Sequence, residues 1–154
     1  MRIYFRSCLL PLILAGLFLT TCGEEPATPA ETELSIQNAW VRATPPGVRV
    51  TAAYFELHNP GNTDARLLRA STDVAGRVEI HETQMDAEGV MRMRPLPDGL
   101  AIPAGQSIAL QPGGIHLMLL ELNREPAAGE TLQLSLEFAD GQKRSIEAEV
   151  RQAN

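Results

Sequence analysis

Thr131–Phe138 reads TLQLSLEF. Leu132, Leu134, Leu136 and Phe138 alternate with Thr131, Gln133, Ser135 and Glu137. A strict two-residue period belongs to a β-strand with one face on a core. Similar short runs extend outward from this one. Lys143–Val150 (KRSIEAEV) follows it across Asp140-Gly141. Before it lie Gly114–Leu122 (GIHLMLLEL), Ser107–Gln111 (SIALQ), Val90–Arg94 (VMRMR) and Arg77–Thr83 (RVEIHET). Earlier still come Ala65–Ala70 (ARLLRA), Val50–His58 (VTAAYFELH) and Leu34–Arg42 (LSIQNAWVR). Turn formers separate them, among them Asn59-Pro60-Gly61-Asn62, Pro97-Asp98-Gly99 and Pro112-Gly113-Gly114. Many short strands with turns between them predict an all-β sandwich or barrel. Beyond residue 22 no stretch holds a helical period, and Ala65–Val74 is too short to stand alone as a helix.

The N-terminus follows different rules. Arg2 and Arg6 precede an apolar run, Cys8–Leu19, interrupted by Pro11 and Gly16. At about a dozen residues the run has the length of a signal-peptide apolar region and is short for a membrane span. Residues 1–21 are therefore expected to be a signal peptide. Leu19-Thr20-Thr21-Cys22 resembles a bacterial lipoprotein cleavage box, with Thr21 where such boxes usually carry Gly, Ala or Ser. That makes Cys22 the expected lipidation site and an envelope or periplasmic location, with the membrane touched only by the anchor, the expected address. Residues 23–33, GEEPATPAETE, are acidic and aperiodic and read as a tether. The expected folded domain is 34–154.

The chain has two Cys, at 8 and 22. The domain itself therefore has no thiol for a disulfide, a zinc-thiolate cluster, a nucleophile or a blue-copper ligand. Formal net charge is −6, and removing residues 1–21 would take cations and no acids. Nucleic acid, which needs a basic footprint, is excluded as a partner class. There is no nucleophile elbow and no HExxH run, so an enzyme is not expected.

The informative residues are three His, at 58, 81 and 116, and the Met at 85, 91, 93 and 118. On a strand, His116 and Met118 share a face roughly 6.5–7 Å apart. Met91 and Met93 share one in the same way. His81 has the parity of Glu79 and Thr83, opposite Val78 and Ile80. A hairpin across Asp86–Gly89 would bring Met91 and Met93 back beside it. Thioether sulfur is soft and selects Cu(I), while imidazole suits copper in either oxidation state. Zinc prefers Cys, His and carboxylate. Each residue taken singly also has an ordinary role: Met118 or Met91 as apolar filler, and His81 as a solvated strand residue. His58 reads as a strand-end surface residue.

The runs Val78–Met93 (VEIHETQMDAEGVMRM) and Gln111–Leu119 (QPGGIHLML) resemble the signature of periplasmic copper chaperones of the PCuAC type. In that family a His is followed by a Met about a dozen residues on, then by His-x-Met some twenty residues later. The matching positions are His81, Met93, His116 and Met118. Asn38-Ala39-Trp40-Val41-Arg42, Ala53-Tyr54 and Asn59-Pro60-Gly61 match the family's early strands. The resemblance implies a cupredoxin-like β-sandwich of Greek-key type. It implies a Cu(I) site made by His81, Met93, His116 and Met118, with Met91 as wall or alternate ligand. It also implies delivery to a copper-accepting protein, such as an oxidase subunit during assembly of the cytochrome c oxidase copper centre, or another copper chaperone. Glu82 stands where the family can carry Met, so that position offers no thioether. Arg151–Asn154 contain none of the His and Met that a Cu(II)-binding tail would need. Copper storage or scavenging, and a metal-free interaction module, are the competing readings.

Overall fold

The structure, a computed structural model, describes residues 33–152. The expected signal peptide, Cys22 and nearly all of the tether lie outside the described residues. Ten strands follow one another: β1 Ser35–Arg42, β2 Val50–His58, β3 Ala65–Ser71, β4 Ala75–Met85, β5 Met91–Pro95, β6 Leu100–Ile102, β7 Ser107–Leu110, β8 Ile115–Leu122, β9 Thr131–Phe138 and β10 Lys143–Arg151. No helix occurs among the described residues. Each of the nine runs read as β is a strand. Only β6 was not anticipated, because three residues between turns are too few to show a period.

Hydrogen bonding runs through the order β5-β4-β8-β2-β1-β10-β9-β3-β6, with β7 on β2. The first half of β2 pairs with β8 and its second half with β7. All pairs are antiparallel except β1–β10. The sheet folds over a single core, as a cupredoxin-like sandwich does. Leu117 and Leu119 of β8, Phe55 and Leu57 of β2, Leu132, Leu134 and Leu136 of β9 and Val150 of β10 belong to one buried cluster. Each such side chain contributes about 1.5–3 kcal/mol through burial.

Two local devices set the strands that matter. The β1–β2 register shifts by one residue between Gln37 and Trp40, where Asn38 adopts a left-handed φ of 55°. Asn tolerates this conformation better than most residues. The extra residue re-aims the end of β1 so that Trp40 pairs with Tyr54. At the far end, buried Asn59 donates to the carbonyls of Thr63 and Ile102, and its Oδ1 accepts from Gly61 N–H. One side chain thereby closes the Asn59-Pro60-Gly61 turn and holds β6.

Candidate metal centre

The β4–β5 hairpin is built by Asp86. Its backbone N–H donates to Val90 O, and its Oδ1 accepts from the N–H groups of Glu88 and Val90. Its Oδ2 accepts from Arg92 Nε. These bonds hold the Asp86 carboxyl below its ordinary range, the Arg92 contact contributing most. Gly89 takes the positive φ, 79°, that the turn requires.

The hairpin sets a register of Met85↔Met91, Thr83↔Met93 and His81↔Pro95. On the other side of β4, His81 faces His116 and Glu79 faces Met118. Met118 in turn faces Ala52 of β2. Directly paired residues share a face. Met93, His81, His116 and Met118 therefore lie on one face of the β5–β4–β8 sheet, opposite the core face of Ile80, Leu117 and Leu119. Leu96 N–H donates to Ile80 O and Asp86 N–H to Val90 O. The intervening pairs 81–95, 83–93 and 85–91 are thus the narrow, non-hydrogen-bonded kind, in which side chains approach most closely.

The two imidazoles are 5.9 Å apart, centroid to centroid. His116 is 5% exposed, and its Nδ1 lies 3.0 Å from Gly114 O. A carbonyl only accepts, so Nδ1 carries the proton and Nε2 keeps its lone pair. His81 is the mirror case. Its Nε2 lies 2.8 Å from Glu79 Oε2. The Glu79 carboxyl is held below its ordinary range, first by this bond and also by Arg77. A carboxylate fixes the proton on Nε2 and leaves Nδ1 as the lone-pair nitrogen. That nitrogen is buried and has no hydrogen-bond partner. Metal-binding histidines are commonly oriented in this way, one nitrogen tied to a carboxylate or carbonyl and the other open.

Around His116 the neighbours are aromatic and apolar. Tyr54 lies 6.4 Å from its ring, and Trp40 stacks on Tyr54 at 4.4 Å. Arg42 sits 5.8 Å above the Tyr54 ring. Burial pushes the Tyr54 hydroxyl up, and Arg42 partly offsets this. A cavity of about 460 Å³ opens here, lined by Met93, His116, Met118, Tyr54, Thr83 and Arg42 among others. His81 reaches His116 but does not line this cavity. Met91 stands further out, 53% exposed. His58 is remote, bonded to Ser107 at the other half of β2. Among the described residues no three His, Cys, Asp or Glu gather into a metal-binding group. An ion at this face would therefore depend on the thioethers. The sequence reading gave neither Glu79 nor Tyr54 a part in the site itself. The parity of Glu79 with His81 was a usable signal, whereas the Tyr54 position needs the β2–β8 register.

Comparison with known proteins gives the chain a family and a fold. The family model described as "Putative lipoprotein LpqE-like" matches residues 34–150. "Putative lipoprotein Lxx21020" of Leifsonia xyli subsp. xyli is 31% identical, over 95% of this chain and 89% of its own. The solution structure of CuI-DR1885 from Deinococcus radiodurans is 33% identical, with a TM-score of 0.60, over 82% of this chain and 81% of that one. The copper-bound PCuAC domain of PmoF2 shares the fold, with a TM-score of 0.65 at 20% identity, over 78% of this chain and 93% of that one.

Proposed function

Since the chain belongs to the LpqE-like family and is similar to PCuAC-type domains, we propose that it is an exported, lipid-anchored copper chaperone. It takes one Cu(I) as cargo on His81, Met93, His116 and Met118 and passes it to a copper-accepting protein of the envelope. The observation that carries this reading is the facing pair of imidazoles. Each has one nitrogen tied to an oxygen acceptor and the other unengaged. Two neutral nitrogens and two thioethers suit a soft monovalent ion.

The residues divide the work. Glu79 and Gly114 O each engage one ring nitrogen, so each imidazole offers its other nitrogen to the ion. The buried side of His116 fixes one donor in place. Met93, 56% exposed on the hairpin, is the donor a partner protein can reach first. Transfer by exchange of neutral ligands moves no charge other than that of the ion. Cys22 supplies the anchor, and the acidic tether gives the domain reach towards its acceptor. Assembly of an oxidase copper centre is the delivery route that the family resemblance favours. The role is carriage rather than catalysis.

A competition titration with a Cu(I) chelator under reducing conditions tests the proposal. Wild-type protein should take one equivalent, and the Met93→Ala/Met118→Ala variant should yield it to the chelator much more readily. Unchanged affinity in the double variant would refute the ligand set. Transfer of the loaded ion to a purified oxidase subunit, followed by gel filtration and copper analysis, tests delivery against storage. Copper that stays with the chaperone favours storage.

A further inference from the structure

Among the described residues seven large hydrophobic side chains are exposed, and four of them, Met85, Val90, Met91 and Met93, occupy the β4–β5 hairpin. All five residues of β5 are exposed. Three of the four are thioethers on the face that also carries His81. Met85 and Met91 are direct partners across the hairpin, at 68% and 53% exposure. Theirs is a narrow pair, with Cβ atoms roughly 4.5–5.5 Å apart, so two flexible thioethers can converge on one ion without movement of the backbone. Met93 is the next residue inward on this face of β5, and Pro95, the one after it, lies beside His81.

Apolar filling does not account for this arrangement, because among the described residues these side chains stay about half exposed or more. A strand that needed only to pair could carry Thr or Lys there. Solvent exposure also removes cavity volume as a reason for Met. What remains distinctive about the side chains is their sulfur.

We infer that Met85 and Met91 form a second, outer Cu(I) site, a landing station from which Met93 hands the ion inward. This rests on the copper reading of the inner face. The chemical class of the ligand is a bare soft monovalent metal ion, Cu(I) or its analogue Ag(I), held by thioethers alone. Transfer is a ligand exchange. The Met85 sulfur–copper bond breaks as the Met93 sulfur bonds. The Met91 bond then breaks as His81 or His116 nitrogen bonds. Copper stays Cu(I), every donor is neutral, and no proton or electron leaves the protein. Two neutral thioethers bind more weakly than the inner set, as an entry station must if the ion is to move on.

The test is a Cu(I) titration of the detergent-solubilised full chain carrying 13C-methyl methionine, under reducing conditions. The first equivalent should shift the methyl signals of Met93 and Met118. The second should shift those of Met85 and Met91. A Met85→Leu/Met91→Leu variant, altered only at exposed positions, should keep the first equivalent and lose the second. It should also load more slowly from a Cu(I) chelate. If Met85 and Met91 stay unmoved through two equivalents while Met93 and Met118 respond, the outer site is overturned and the inner one stands. If Met93 and Met118 themselves do not respond, the proposed function fails. A double-Leu variant that still takes two equivalents and loads at the wild-type rate also overturns the outer site.

Discussion

β9 and β5 carry the same pattern and meet opposite fates. In Thr131–Phe138 every second residue is apolar, and Leu132, Leu134, Leu136 and Phe138 are all buried. In Met91–Pro95 apolar residues again alternate, with Arg92 and Arg94 between them, yet all five are exposed. β9 lies between β10 and β3, whereas β5 is the last strand of the sheet and, among the described residues, pairs with β4 alone. A two-residue period therefore states that a strand has two faces but not that either is covered. The choice of residue discriminates better. Leu gives volume and a defined shape to a core, whereas Met gives a soft donor that has value in water.

The comparison can be broken by substitution. On the covered side, Leu134→Ala should cost about 2–5 kcal/mol, because the cavity it leaves is enclosed. A urea melt reads this as a lowered midpoint, and an unchanged midpoint would mean that β9 is not the core strand described. On the open side, Met93→Leu should move the same midpoint by no more than about 0.5 kcal/mol, as a surface change does. Gly99→Ala falls between these two in size. Gly99 has a φ of 79°, and an added Cβ would collide with the Leu67 carbonyl oxygen. Strain of this kind costs about 1–3 kcal/mol, and it would be felt where β3 meets β6.

Glu79→Ala sharpens the contrast between folding and function. Loss of a partner behind a metal-binding histidine typically costs about 10–100-fold in affinity. Cu(I) affinity should fall by that order while the urea midpoint stays close to wild type. Equal affinities would mean that the carboxylate does not orient His81.

The smallest effect concerns pH. The Asp86 carboxyl is held below its ordinary value of 3.8 by Arg92 and by the backbone N–H groups of the turn. Its contribution to the hairpin is therefore complete above that value and is lost as pH falls through the lower folded value. Amide signals of Val90 and Arg92 should report a loosening hairpin in acid. An Asp86→Asn variant should show no such transition, and if both proteins titrate alike, Asp86 is not the cause.

The strand content was legible because nine of the ten strands contain enough residues to show their period or are bounded by Gly and Pro turns. Leu100–Ile102 was not, since its pairing with β3 is set by the chain around it rather than by its own pattern. The hairpin that returns Met93 towards His81 was legible from Asp86–Gly89. The facing of His81 and His116 was not, because 34 intervening residues leave the β4–β8 register open. Nor does sequence record which imidazole nitrogen is tied, which depends on the Gly114 carbonyl and on the Glu79 rotamer. The row of Trp40 and Tyr54 beside His116 also depends on a one-residue bulge at Asn38.

X-ray absorption at the copper edge of the Cu(I)-loaded protein, at one equivalent, tests the central claim most directly. The account predicts a first shell that contains both thioether sulfur and imidazole nitrogen, with the sulfur signal reduced in the Met93→Ala/Met118→Ala variant. A shell of nitrogen and oxygen alone, or one unchanged in that variant, would contradict it.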